Sequence, residues 1–160
     1  MEAVVDIDVF TIALWDKQDD RKEHAEEVLE KIESGEIELH IPILLFQQIH
    51  EWKHSDLATE IAEFQFRYSN ELIDVRELEN SIESKTGKLV SKIIEEGMNQ
   101  LENMKESDLN LVLYTSGMKI DYLITFDKKH LLNRQKELNE FLKNQELPEI
   151  EIKSPEELSS

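Results

Sequence analysis

Three aspartates at distant points of the chain, Asp6, Asp108 and Asp127, stand where short apolar segments begin or end. Val4-Val5-Asp6-Ile7 reads as a short buried strand that stops at an acid. Tyr122 to Thr125 reads as a second strand, followed directly by Phe126-Asp127. In a parallel sheet those two ends share an edge, and ligands in open α/β sheets bind outside the carboxyl ends of the strands. Asp108 begins a helix leading into the strand that carries Asp127; Ser107 is expected to cap it and Gly117 to end it. Carboxylates gathered in one cleft repel unless a cation sits between them. Oxygen-only ligands select hard cations, Mg²⁺ or Mn²⁺. Such metals activate water and clamp the oxygens of a phosphodiester in an in-line displacement. Taken singly, each aspartate also fits a turn or a helix cap. Together they point to a metal-dependent nuclease.

The elements that must position these acids follow from periodicity. Val9 to Trp15 reads as a helix. Ala25, Val28, Leu29 and Ile32 repeat at helical spacing and predict an amphipathic helix over 20–33. Ser34-Gly35 closes it as a glycine C-cap does. Glu38 to Ile41 is a second strand, and Pro42 suits the first turn of a helix running to His54. Helices are expected over 57–68, over 78–101 in one or two pieces, and over 134–144. Glu149 to Ile152 is a last strand, and Ser154-Pro155-Glu156-Glu157 starts a short terminal helix. Strands separated by helices indicate an α/β layer fold with a mainly parallel sheet. A length of 160 residues without a linker or repeat suits one domain over 1–160.

The pattern resembles the PIN-domain nucleases. The matching pieces are Val-Val-Asp6-Ile-Asp8-Val, Ser107-Asp108-Leu-Asn-Leu-Val-Leu, Tyr-Leu-Ile-Thr125-Phe-Asp127 and Ile-Lys-Ser-Pro155-Glu-Glu-Leu, in order along essentially the whole chain. The resemblance implies a three-layer α/β/α sandwich with a parallel sheet. It also implies Mg²⁺- or Mn²⁺-dependent cleavage of RNA, often as the toxin of a toxin–antitoxin pair. It assigns Asp6, Asp108 and Asp127 to the metal site and makes Thr125 the support of the last. Asp8 takes the small polar position after the first acid. The family usually has a glutamate in the helix after the second strand, and here that slot holds Gln48. Glu51 lies one turn further on the same helix face and is the acid available to complete the site. A neutral Gln48 also fits a non-catalytic module that binds RNA or a protein partner.

The same helix spells His50-Glu51-Trp52-Lys53-His54, an H-E-x-x-H arrangement. Two imidazoles at i and i+4 can bind Zn²⁺ with Glu51 as base, as in zinc metallopeptidases. Such enzymes usually carry uncharged residues between the histidines, whereas Lys53 is charged, and no third ligand is marked. A polar, solvated helix end is the plainer reading.

Composition bounds the rest. The chain has 36 acidic and 18 basic residues, a formal net charge of −18, which repels phosphate backbones at long range. Bound divalent cations reverse that field locally. Cysteine is absent, so there are no disulfides or thiolate sites. No apolar run reaches the length of a membrane span and the N-terminus lacks the build of a signal peptide, which favours a cytoplasmic protein. Lys128, Lys129 and His130 follow Asp127; Lys53 and His54 follow Glu51; Lys119 lies near the end of the Asp108 helix. These could form a rim that contacts phosphates, or simply solvated loops. Leu57, Ile61, Phe64 and Tyr68 form an apolar stripe, mostly for the core, whose excess would serve a homodimer. Glu51→Gln is expected to reduce Mn²⁺-dependent RNA cleavage while His50→Ala leaves most of it. Stoichiometric zinc in the purified protein, lost on replacing His50 or His54, would reverse the assignment.

Overall fold

The computed structural model describes residues 1–15, 17–42, 55–73 and 75–158. In chain order these are β1 (Glu2–Val5), α1 (Ile7–Leu14), α2 (Lys22–Glu33), β2 (Glu38–Pro42), α3 (Ser55–Tyr68) and β3 (Ser69–Ile73). Then come α4 (Val75–Thr86), α5 (Val90–Gln100), α6 (Glu106–Gly117), β4 (Tyr122–Ile124), a 3₁₀ turn at Leu132–Arg134, α7 (Gln135–Asn144), β5 (Glu151–Lys153) and α8 (Pro155–Leu158). The architecture is α/β, with a five-stranded, all-parallel sheet in the order β3-β2-β1-β4-β5. The order runs outward from β1 in both directions, so β1 and β4 flank the point where the winding reverses. Right-handed crossovers then put the helices before β3 on one face and α4 to α7 on the other, while α8, after the last strand, returns to the first face. Accordingly α1 packs on α2 and α3, and α2 on α8. A second group is formed by α6 with α4, α5 and α7.

The core follows from this layering. Ala3, Val4 and Val5 of β1 are fully buried, as expected of a strand covered on both faces. The stripe on α3 is spent inward: Leu57 and Ile61 are buried, and Phe64 meets Phe10 at 5.9 Å and Tyr68 at 4.8 Å between ring centres. Phe66, off that stripe, is exposed. No helix among the described residues is long and apolar enough to cross a membrane.

Several expected boundaries shift, each for a local reason. Asp6 is the N-cap of α1 and its carboxylate accepts from the Ile7 N–H at 2.8 Å, so that helix begins at Ile7 rather than Val9. α6 begins at Glu106 with Lys105 as its N-cap, not with Ser107 as its cap. Pro42 ends β2 instead of opening a helix; the rest of that expected helix, 43–54, lies outside the described residues. The strand β3 carries no mark in the sequence: Ser-Asn-Glu-Leu-Ile has no alternation long enough to announce it, and it follows α3 without a turn signal. Gly35 behaves as read, with φ of 84° and its N–H on the Ile32 carbonyl. Gly117 does not. The left-handed residue after α6 is Lys119, φ 56°, whereas Gly117 is the last helical residue and packs closely against α4. A Cβ there would meet Ile82 Cγ1 at 2.9 Å and Leu78 Cδ1 at 3.0 Å. Gly117→Val is therefore expected to lower stability by roughly 1–3 kcal/mol in urea unfolding. An unchanged midpoint would show that α4 yields freely.

Candidate metal centre at the strand ends

Pairing of Val5 with Ile124 brings the ends of β1 and β4 side by side. The next backbone bond, Asp6 N–H to the Ile124 carbonyl at 2.8 Å, carries the register one residue further. Asp6 and Thr125 therefore face each other, and the Thr125 hydroxyl lies 2.8 Å from Asp6 Oδ2 and 3.3 Å from Asp8 Oδ2. The hydroxyl has one hydrogen, so only one carboxylate receives it at a time. The same oxygen accepts the Asp127 N–H at 3.0 Å, and the Phe126 N–H donates to Asp8 Oδ2 at 3.1 Å. Thr125, fully buried, is thus the hub that joins Asp6, Asp8 and the Asp127 loop.

Asp108 reaches the same place from α6. From Asp108 to Gly117 every residue of that helix except the half-buried Asn110 is buried, so it reads as a core helix rather than an amphipathic one. Asp108 is 7% exposed, and its Oδ2 has no hydrogen-bond partner among the described residues. Ligand atoms of Asp108, Asp127 and His130 lie within 4.8 Å of one another. Asp127 is held by His130 through a backbone N–H at 2.9 Å and Nδ1 at 3.2 Å.

The electrostatics are those of crowded, desolvated acids. Burial first, then the charge of Asp6, pushes Asp8 up to about 8. Burial pushes Asp6 up to about 6 against the lowering hydrogen bonds from Thr125 and Ile7, with Asp108 and Asp127 adding repulsion. Asp108 is raised by burial and by Asp127. The buried Asp8 Oδ1 is also without a partner among the described residues. Orphaned carboxylate oxygens in an anionic cluster are what a hard cation satisfies, so the residues fit Mg²⁺ or Mn²⁺. The nearby imidazole nitrogen suits Mn²⁺ better than Mg²⁺.

The structure brings together Asp6, Asp8, Asp108, Asp127 and Thr125. Lys128 and Lys129 are exposed beside them. Lys119 does not join that rim. α6 carries Asp108 in its first turn and runs 12 residues, about 18 Å, before the chain reaches Lys119. Lys119 lines a hollow with Tyr122 and Glu151, the first residues of β4 and β5, at the opposite sheet edge. Gln48, Glu51, Lys53, His50 and His54 lie outside the described residues. Two further residues lie at the centre. His130, read only as a rim base, enters the acid cluster, a role its i+3 spacing from Asp127 could have suggested. Arg21, unmarked in sequence, sits 5.4 Å over the Phe126 ring and interacts with the charge of Asp8.

Comparison of the chain with protein-family models, with curated proteins and with solved structures finds no match.

The raised carboxyls have a consequence for stability. Between the unfolded value of 3.8 and the folded values of about 6 for Asp6 and about 8 for Asp8, the folded state holds protons that the unfolded chain has released. Their contribution is complete below 3.8 and is lost as pH rises through about 6 and then about 8. In chelator, the melting temperature is expected to fall over that window, and to fall less steeply in Asp8→Asn. Parallel profiles would assign the slope to the acidic surface as a whole.

Proposed function

We propose that this protein is a metal-dependent endoribonuclease of the PIN-domain type, an α/β/α sandwich that hydrolyses RNA phosphodiester bonds at the Asp6–Asp108–Asp127 cleft with Mg²⁺ or Mn²⁺. The observation that carries the reading is the buried, unpartnered Asp108 Oδ2 gathered with Asp127 at the carboxyl ends of β1 and β4. An acid so placed raises the cost of folding unless a cation joins it. The reversal of strand order between β1 and β4 and the two groups of helices support the fold assignment.

When bound, Mg²⁺ or Mn²⁺ supplies an activated water and offsets charge on the phosphoryl oxygens. The chain's own groups do the rest. Asp6, Asp108 and Asp127 offer the anionic oxygens. Thr125 fixes the rotamer of Asp6 through its hydroxyl and the Asp127 loop through that loop's N–H. His130 orients Asp127. Lys128 and Lys129 are the cations available to the phosphates of the substrate on an otherwise acidic protein. Glu51 is the candidate fourth acid. A toxin's place in a toxin–antitoxin pair, with a protein antitoxin as partner, belongs to the same reading, as does a cytoplasmic site of action.

The test is cleavage of a mixed RNA pool with Mn²⁺, with Mg²⁺ and with EDTA. Wild type is expected to cleave only with metal. Asp6→Asn and Asp108→Asn should each lose about a hundredfold or more, and Thr125→Val about ten- to a hundredfold. Gln48 in the glutamate slot favours a second reading, a non-catalytic module. Retained RNA or protein binding with no cleavage under any metal would establish that reading and overturn the first.

A further inference from the structure

The sheet edge opposite the aspartate cleft carries another group of ligating side chains. Glu2 opens β1 and Glu38 opens β2, and the two stand in register across the parallel pair. His40, two residues along β2, projects from the same face as Glu38. Ligand atoms of Glu2, Glu38 and His40 lie within 4.8 Å of one another. The carboxylates face solvent, but His40 is only 8% exposed. Neither of its ring nitrogens makes a hydrogen bond among the described residues. Nε2 lies 3.3 Å from Glu2 Oε1 without the alignment of a hydrogen bond.

Each of these facts is unfavourable alone. A buried polar group without a partner costs about 1–3 kcal/mol, and carboxylates adjacent across neighbouring strands repel. A divalent cation on Nε2 relieves the repulsion and gives one of the two ring nitrogens a partner. The Nε2–Oε1 separation also fits: with metal bonds of about 2.0–2.1 Å, neighbouring corners of a tetrahedron lie about 3.3–3.4 Å apart. An imidazole with carboxylates selects a borderline cation such as Zn²⁺ over Mg²⁺ or Ca²⁺.

We propose that Glu2, Glu38 and His40 form a Zn²⁺ site, separate from the aspartate cleft, that ties the amino-terminal ends of β1 and β2 together. Three protein ligands leave the fourth position to water. The site is independent of the proposed RNA cleavage.

The experiment uses the full chain, stripped of metal and titrated with Zn²⁺ in excess Mg²⁺, which competes at the cleft and screens the acidic surface. Calorimetry reads affinity, and ¹⁵N-resolved spectra of the imidazoles read the ligand. One tight site is expected, with the His40 ring nitrogens shifting as it fills. Affinity should fall at least tenfold in Glu2→Gln and Glu38→Gln. These alter solvent-facing side chains and test the site without disturbing the core, as His40→Gln would. Asp108→Asn and His50→Ala should bind Zn²⁺ as wild type does. Wild-type affinity in both glutamate variants, an unmoved His40 signal at saturation, or no tight binding would each overturn the proposal.

Discussion

The parallel pairing of β1 with β4, Val5 opposite Ile124, is the contact on which the candidate centre depends. Two strands far apart in sequence end at the same level there, with the backbone ladder extended by one bond through Asp6. Neither end could hold its acid alone. Asp6 needs the Thr125 hydroxyl, and the Asp127 loop needs the same oxygen as acceptor. Because the strand order reverses at this pair, the crossovers leave on opposite sides of the sheet, the place where open α/β sheets bind ligands. α6 then delivers Asp108 from the layer that packs on β1 and β4.

Burial and charge oppose each other at this point. The apolar shell that fixes the side chains also removes water from the carboxylates, and desolvation is the leading cause of the raised values at Asp6, Asp8 and Asp108. A fold optimised only for stability would replace these groups with apolar ones. Beside the buried Val5, Leu109 and Ile124, these acids therefore lower the stability of the metal-free fold. The helix N-terminus at α1 offsets part of the cost, since Asp6 caps it and Asp8 lies in its first turn.

The same logic separates this cleft from the protein's general acidity. Most of the acids face water, where repulsion is screened and contributes to solubility. An acid becomes informative when it is buried, crowded and short of hydrogen-bond donors together, as Asp108 is. By that measure His40 stands out at the other edge of the sheet, although no motif drew attention to it.

Sequence alone determined what depends on neighbours along the chain. Helical spacing marked α2 through Ala25, Val28, Leu29 and Ile32. Short apolar runs marked β1 and β4, and their terminal residues put Asp6 and Asp127 at strand ends. Tertiary structure decided what depends on distant partners. The strand β3 forms by pairing with β2, so its own residues barely announce it. Gly117 looked like a helix terminator but is a point of contact with Ile82. Lys119 seemed near the acids in sequence, yet the length of α6 carries it to the opposite edge. The burial of Asp108, Asp8 and His40, which turns ordinary polar residues into candidate ligands, arises only when separate layers close over them. Periodicity records which face of an element is apolar; it carries no record of what will cover that face.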